Sequence, residues 1–223
     1  MLCVVSSIAP ASLGAREPRR TQQERRDRTR GALLEATVAC LVERGYAGTT
    51  TLEVERRADV SRGARIHHFP TKQVLLASAV DHLYTGLSEH YDEAFGGATQ
   101  GESEAARFRR GFALLWSIYC RPGYVAVLEL IMAARTDAEL RARLDEVTER
   151  HRALAGAAAA RHFPSLATPV AAVLIEALNA TMMGLLVQRF GTGENPCERE
   201  VLALLEDAVV RHLPTEEPPC SRA

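Results

Sequence analysis

Apolar residues recur at three- and four-residue steps along most of this chain, the pattern of helices that each bury one face. In the first such segment, residues 21–44, the apolar positions are Leu33, Leu34, Val38, Leu41 and Val42. No stretch alternates apolar and polar residues as a half-buried strand does, and no internal repeat is present. The pattern therefore predicts an all-α protein of about nine helices.

Small hydroxyl residues, glycine and proline mark where the predicted helices begin and end. Gly45 follows the first helix at a position typical of a C-cap, and Thr50, Ser61 and Thr71 stand where N-caps belong. Pro70 ends the third helix. Later helices are predicted over residues 102–120, 122–134, 137–162, 167–191 and 196–212, with Thr136 as the cap of the third of these.

The segment 49–72 contains a short helix, a turn at residues 58–60, a second short helix and the start of a long one. Such a helix-turn-helix can place its second helix in the DNA major groove, with the N-terminal side chains on base edges. We therefore predict a DNA-binding head at residues 21–72 and a helical body at 73–213. Residues 1–20 and 214–223 are predicted to be a disordered basic arm and a disordered tail, and whether 1–20 belong to the native protein stays open.

Charge is distributed unevenly, although the net charge is only -1. Between Arg16 and Lys72 there are 13 Lys+Arg against 8 Asp+Glu, and the remainder of the chain is acidic. A basic head on an acidic body suits contact with a polyanion such as DNA. A solvated basic helix would give the same balance, so charge alone does not decide.

Cysteine usage and motifs exclude several classes of protein. The five cysteines are scattered without a CxxC pair, which favours a reducing cytoplasm over a disulfide-stapled secreted domain. No run of 18 apolar residues occurs, so no membrane span is expected. HExxH, a glycine-rich phosphate loop and a nucleophile elbow are all missing from the sequence. An enzyme or small-molecule carrier built on a helical bundle is therefore disfavoured, and no cofactor or metal is expected.

The head resembles the N-terminal signature of the TetR family of one-component transcriptional regulators. The similarity runs without a gap from about Leu33 to Leu76 and rests on Gly45-Tyr46, Thr49-Thr50, the segment 58–64, His67-His68-Phe69 and Thr71-Lys72. Two departures stand out. Asp59 occupies a position where the family usually has Gly, and Arg65-Ile66 stand where it often has an apolar-aromatic pair.

The resemblance implies a ligand-responsive regulator, a repressor in the usual case, that binds a palindromic DNA operator as a homodimer in the cytoplasm. A small, mostly apolar effector bound by the body would release it from DNA. The alternative is an architectural DNA-binding protein without a sensor. The two differ in the ratio of specific to random DNA affinity, which is small for an architectural protein.

The DNA-contacting positions implied by the resemblance lie on the two short helices and just beyond them. Arg62 and Arg65 are expected to read guanine by paired hydrogen bonds, and Gly63 to allow close approach to the groove. Val54, Val60, Ile66 and Phe69 are expected to form the small core beneath. The full predicted set comprises Thr50, Ser61, Arg62, Gly63, Ala64, Arg65, His67, His68 and Lys72.

In the body, the resemblance implies an effector pocket and a dimer interface. The predicted pocket residues are His82, Phe112, Trp116, Tyr119, Tyr124, Met132, Asn179 and Met183. The predicted interface residues, from the two last helices, are Leu174, Leu178, Leu185, Val201 and Leu205. For both sets the alternative is burial in the core of a single subunit, since aromatic, Met and Leu residues at helical spacing are more often core.

Overall fold

The structure, a computed structural model, describes residues 21–96, 102–166 and 169–214. Across these ranges the chain forms nine α-helices and no strand, which confirms the predicted all-α class. The helices are α1 Gln22–Gly48, α2 Thr51–Ala58, α3 Arg62–His68, α4 Lys72–Gly96, α5 Glu104–Tyr119, α6 Gly123–Ala134, α7 Ala138–His162, α8 Pro169–Gly191 and α9 Glu198–Val210, with a short 3-10 turn at Pro164–Leu166. The predicted arm at 1–20 and most of the predicted tail lie outside the described residues.

The caps of the head form as predicted. The hydroxyls of Thr50, Ser61 and Thr71 accept the backbone N–H three residues on, at 3.2, 3.3 and 3.2 Å. The prediction that Thr136 caps α7 is wrong. Asp137 takes that place, and its Oδ1 accepts the N–H of Leu140 at 2.9 Å. A carboxylate is favoured there because the first turn of a helix carries partial positive charge.

Two residues with positive φ set the shape of the head. Gly45, the predicted C-cap, instead interrupts α1, which continues to Gly48 and is capped by Thr49. Its backbone (φ +64°, ψ -177°) lies in a region that is essentially restricted to glycine. Asp59 (φ +53°, ψ +47°) makes the left-handed turn between α2 and α3. Asp tolerates that conformation better than most residues, so the departure from glycine leaves the turn intact.

Three packed clusters hold the helices together. The first lies within the head and centres on Leu33, Cys40, Val54 and Phe69. The second joins α1 to α4, α6 and α7 through Leu41, Leu76, Val80, Leu130, Leu140 and Leu144. The third fills the body with aromatic and Met side chains, among them Phe108, Phe112, Tyr119, Phe163 and Met182. Because α4 contributes to every cluster, it ties the head to the body.

Helix α8 is unusually apolar and mostly uncovered. Within the described residues, Ala172–Gly191 is the one helical segment with the length and composition of a membrane span, at a mean hydropathy of 1.2; α5 and α6 meet the test only as a pair bent by 70°. Core helices of globular proteins meet the same test. The outward face of α8 carries a row of exposed residues at alternating four- and three-residue steps: Val173, Ala177, Ala180, Gly184 and Val187.

Candidate nucleic-acid interface

The N-terminal end of α3, at residues 61–63, is exposed to solvent. Ser61 caps the helix, and Arg62 and Gly63 follow it with exposed side-chain positions. A Cβ added to Gly63 would meet no atom within 4 Å, so the helix surface is open at this point. A long cationic side chain beside an open, small residue is an arrangement that can enter the major groove.

Arg65 does not belong to this surface, which corrects the prediction that it reads a base. Its side chain is buried, with 6% of the residue exposed, and its Nε donates to Glu55 Oε1 at 2.9 Å. Its Nη1 also donates to the carbonyl oxygens of Phe69 and Pro70, at 3.1 and 3.3 Å. The guanidinium therefore joins α2, α3 and the turn into α4.

Ile66 is also placed differently from the expectation that it lies in the core. It is 43% exposed, whereas Val54 and Phe69 are buried as predicted. Adjacent residues of a helix point about 100° apart, so turning Arg65 inward directs Ile66 outward. The sequence offered no local signal for this exchange beyond the presence of Glu55 on the preceding helix.

A cleft of about 650 Å³ separates the start of α1 from the last turn of α3. Its lining holds two cationic side chains, Arg25 and Arg26, and otherwise consists of Gln22, Gln23, Thr29, Ala64, His67 and His68. Burial lowers the pKa of His68, and the nearby charges of His67, Arg26 and Arg30 lower it further. The lowered pKa favours the neutral form of His68, so any attraction of the cleft for an anion such as phosphate comes from Arg25 and Arg26.

Lys72 lies at the junction between head and body. Its ammonium sits over the ring of Tyr46, 4.5 Å from the centroid, and burial lowers its pKa. Tyr46 in turn donates its backbone N–H to Glu129 at 2.8 Å and its hydroxyl to Asp137 at 3.1 Å. In this arrangement the Lys72 ammonium contacts the Tyr46 ring. Its predicted contact with a DNA phosphate stays a prediction.

Among the described residues, the predicted pocket residues of the body line neither the cleft between α1 and α3 nor the open cleft beside α2. His82 and Met132 are exposed, Met132 by 66%, so the prediction that they line a pocket is wrong. Tyr119 and Tyr124 stack on each other in the body core at 4.4 Å between centroids, and Phe112 stacks on Phe108.

Three other pocket candidates are half-buried. Asn179 and Met183 lie on α8, and Trp116 on α5 donates its Nε1–H to Glu198 of α9 at 3.3 Å. That these three residues line an effector pocket stays a prediction. In the described part of the chain no group of three or more His, Cys, Asp or Glu side chains could hold a metal ion.

The predicted interface residues divide into two groups. Leu178 and Leu185 are each 5% exposed in the single chain, so they belong to the core of their own subunit rather than to an interface. Leu174, Val201 and Leu205 are half-buried. Exposed apolar or small positions on these two helices are instead the row on α8 and Leu204 of α9, which is 70% exposed. The apolar pattern did not reveal this because α8 is apolar on more than one face.

Comparison with known families matches both parts of the chain. Residues 33–79 match the model described as bacterial regulatory proteins of the tetR family. Residues 100–211 match the model of a tetracyclin repressor-like C-terminal domain.

Individual proteins give the same result. The chain is 36% identical over 134 residues to the HTH-type transcriptional regulator CymR of Pseudomonas putida, covering 60% of this chain and 64% of that protein, slightly under two thirds of its length. It is 29% identical over 164 residues to an uncharacterized HTH-type transcriptional regulator of Mycobacterium bovis, covering 70% and 81%. Among solved structures, a transcriptional regulator of Rhodococcus sp. Rha1 superposes with a TM-score of 0.64 at 22% identity, over 82% of this chain and 97% of that one.

Proposed function

This chain belongs to the TetR family of bacterial regulatory proteins, and we propose that it is a ligand-responsive repressor that binds a palindromic DNA operator as a homodimer. The observation that carries the proposal is the open N-terminal end of α3, with exposed Arg62 and Gly63, beside the cationic α1–α3 cleft. Residues 21–72 form the DNA-binding head in this proposal, and 73–213 the ligand-binding and dimerisation body. A DNA partner places its action in the cytoplasm.

On DNA, the two parts of this surface have different tasks. Arg62 reads a guanine in the major groove through its paired N–H donors, and Gly63 and Ala64 allow the helix to approach the base edges. Thr50 and Ser61, at the exposed N-termini of α2 and α3, bind phosphates of the two strands. His67, His68 and Arg26 hold the backbone along the cleft. Phosphate contacts fix the register, whereas Arg62 supplies sequence preference.

Dimerisation follows from the uncovered apolar face of α8. The exposed row from Val173 to Val187 includes Ala180 and Gly184, whose small side chains permit close helix approach. Leu204 of α9 is also an exposed apolar side chain. Pairing α8 and α9 with the same helices of a second copy would make a four-helix interface with two-fold symmetry. Two heads related by that symmetry suit two half-sites of a palindrome.

Effector control passes through the junction between head and body. α4 is shared by all packed clusters, and Tyr46 of α1 binds Glu129 of α6 and Asp137 at the start of α7. A small, mostly apolar molecule bound among the body helices would therefore displace the head when it moves α4, α6 or α7. It can do so only to the extent that it binds one arrangement more tightly than the other.

Selection of duplexes from a random library tests the proposal, because a specific regulator enriches one palindromic sequence. Arg62→Ala should weaken binding to the enriched duplex by roughly 5- to 150-fold, the equivalent of about 1–3 kcal/mol for a lost guanine contact, and change random duplex binding little. Arg141→Ala, an exposed arginine on α7, is the matched control. Titrations at several salt concentrations separate the two kinds of binding. No enriched sequence, or equal affinity for all duplexes, would favour the architectural alternative.

A further inference from the structure

Ile66 is an exposed β-branched apolar side chain in the last turn of α3, the helix to which the proposed function assigns DNA reading. Arg65 beside it is held inside the head by Glu55 and by two carbonyl oxygens, so the orientation of α3 about its axis is fixed. With 43% of its surface exposed, Ile66 contributes little to the core of the head. A single exposed apolar residue is common on protein surfaces, and only its position gives this one meaning.

That position is one helical turn beyond Arg62. Residues four apart in a helix lie on the same face, so Ile66 and Arg62 are presented together, with the open surface of Gly63 next to them. The rise of one turn is about 5.4 Å. Since base pairs are stacked about 3.4 Å apart, the two side chains reach positions one or two base pairs from each other.

We propose that Ile66 determines specificity by contacting the C5 methyl group of a thymine, one or two base pairs from the guanine read by Arg62. Among the groups that the four base pairs present in the major groove, the thymine methyl is the apolar one. Isoleucine has no donor for a phosphate or a base acceptor, and its exposed branches gain free energy by burial against a methyl group. The inference rests on the proposed function, because it assigns a second base reader to the same helix.

Removing single methyl groups from the DNA tests the proposal. The full-length protein first selects a duplex from a random library, and each thymine of that duplex is then replaced singly by deoxyuridine, which retains the base-pairing edge and loses the methyl. One thymine in each half-site should show a loss of about fourfold, the equivalent of roughly 0.8 kcal/mol per buried CH₂. Ile66→Ala should bind the thymine and deoxyuridine duplexes equally at that position, and Ile66→Val should keep part of the difference.

Ile131→Ala is the matched control, since Ile131 is 49% exposed but lies on α6 in the body. This variant should show the same thymine preference as the unaltered protein. Circular dichroism checks that Ile66→Ala is folded. If deoxyuridine is tolerated at every position, or if Ile66→Ala retains the penalty, the thymine contact is refuted while the regulator proposal stands. If no sequence is enriched at all, the regulator proposal itself fails and takes this inference with it.

Discussion

Glu55 and Arg65 form a buried ion pair inside the DNA-binding head. Both residues are less than 10% exposed, and the guanidinium also satisfies the carbonyl oxygens of Phe69 and Pro70. Desolvating two charges is costly, and their attraction offsets that cost only when geometry and additional hydrogen bonds are good. The pair therefore contributes mainly to the orientation of α3, because an apolar contact could fill the same space at equal stability.

Removing one partner of this pair should be far more damaging than removing both. Arg65→Leu leaves Glu55 buried without its counter-ion, and we expect the free energy of unfolding to fall by about 3–5 kcal/mol. The double variant Glu55→Ala, Arg65→Leu should recover most of this loss in urea unfolding. Arg56→Ala, which breaks an exposed pair with Glu53 on the same helix, serves as control and should change stability little. Equal losses for the single and double variants would contradict this account.

Asp137, at the start of α7, caps its own helix and also accepts hydrogen bonds from residues of α1 and α4. Asp137 Oδ1 caps α7 through the N–H of Leu140, while its Oδ2 accepts from the Tyr46 hydroxyl and from Gln73 at 3.1 and 3.3 Å. The backbone bond from Leu140 is the largest cause that lowers the pKa of Asp137, and the two side chains lower it further. The charged form is therefore favoured in the folded protein.

A carboxylate whose pKa is lower in the folded than in the unfolded state stabilises the protein above its unfolded pKa. That stability is lost as the pH falls from the ordinary value of 3.8 through the lower folded value. We expect Asp137→Asn to lose less stability than the unaltered protein between pH 5 and about pH 3, measured as urea midpoints. Asp145→Asn, an exposed aspartate on the same helix, is the control. An identical acid dependence for both variants would argue against the junction assignment.

For the whole molecule, the uncovered face of α8 is the feature that a single chain leaves unexplained. Its exposed row is apolar or small over about four turns. In the proposed dimer a second copy would cover this face, because both partners present the same small residues to each other. The same dimer would hold two α3 helices in fixed relation, which a palindromic site requires.

A charge placed in the middle of this row should separate the subunits. Ala180→Glu puts a carboxylate against its own symmetry mate across the interface, and sedimentation should then give the monomer mass of 24.4 kDa. Leu154→Glu, at a residue 51% exposed on α7, should leave the dimer intact. Ala180→Glu should also lose more affinity for a duplex with two half-sites than for a duplex with one. A dimeric Ala180→Glu protein would show that the subunits meet elsewhere.

Local chemistry in the sequence was sufficient for the helices, most of their caps and the helix-turn-helix. Caps such as Ser61, the glycine at 45 and the left-handed Asp59 act over three or four residues, so their effect is visible in the chain itself. The resemblance of the head to the TetR signature also identified the family. Arg62 and Gly63 are exposed in the first turn of a capped helix, and their contact with DNA stays a prediction.

Tertiary structure decided which side of each helix faces inward. Arg65 and Ile66 exchanged places because Glu55 of another helix offers Arg65 a buried partner, a contact between residues ten positions apart that periodicity does not encode. Likewise, Met132 of α6 faces solvent, whereas Leu178 and Leu185 of α8 face the core of their own subunit. Both helices carry apolar residues on more than one side, and the neighbouring helices cover one of these sides. A sequence fixes the spacing of side chains around a helix axis, and the packed neighbours fix the rotation of that axis.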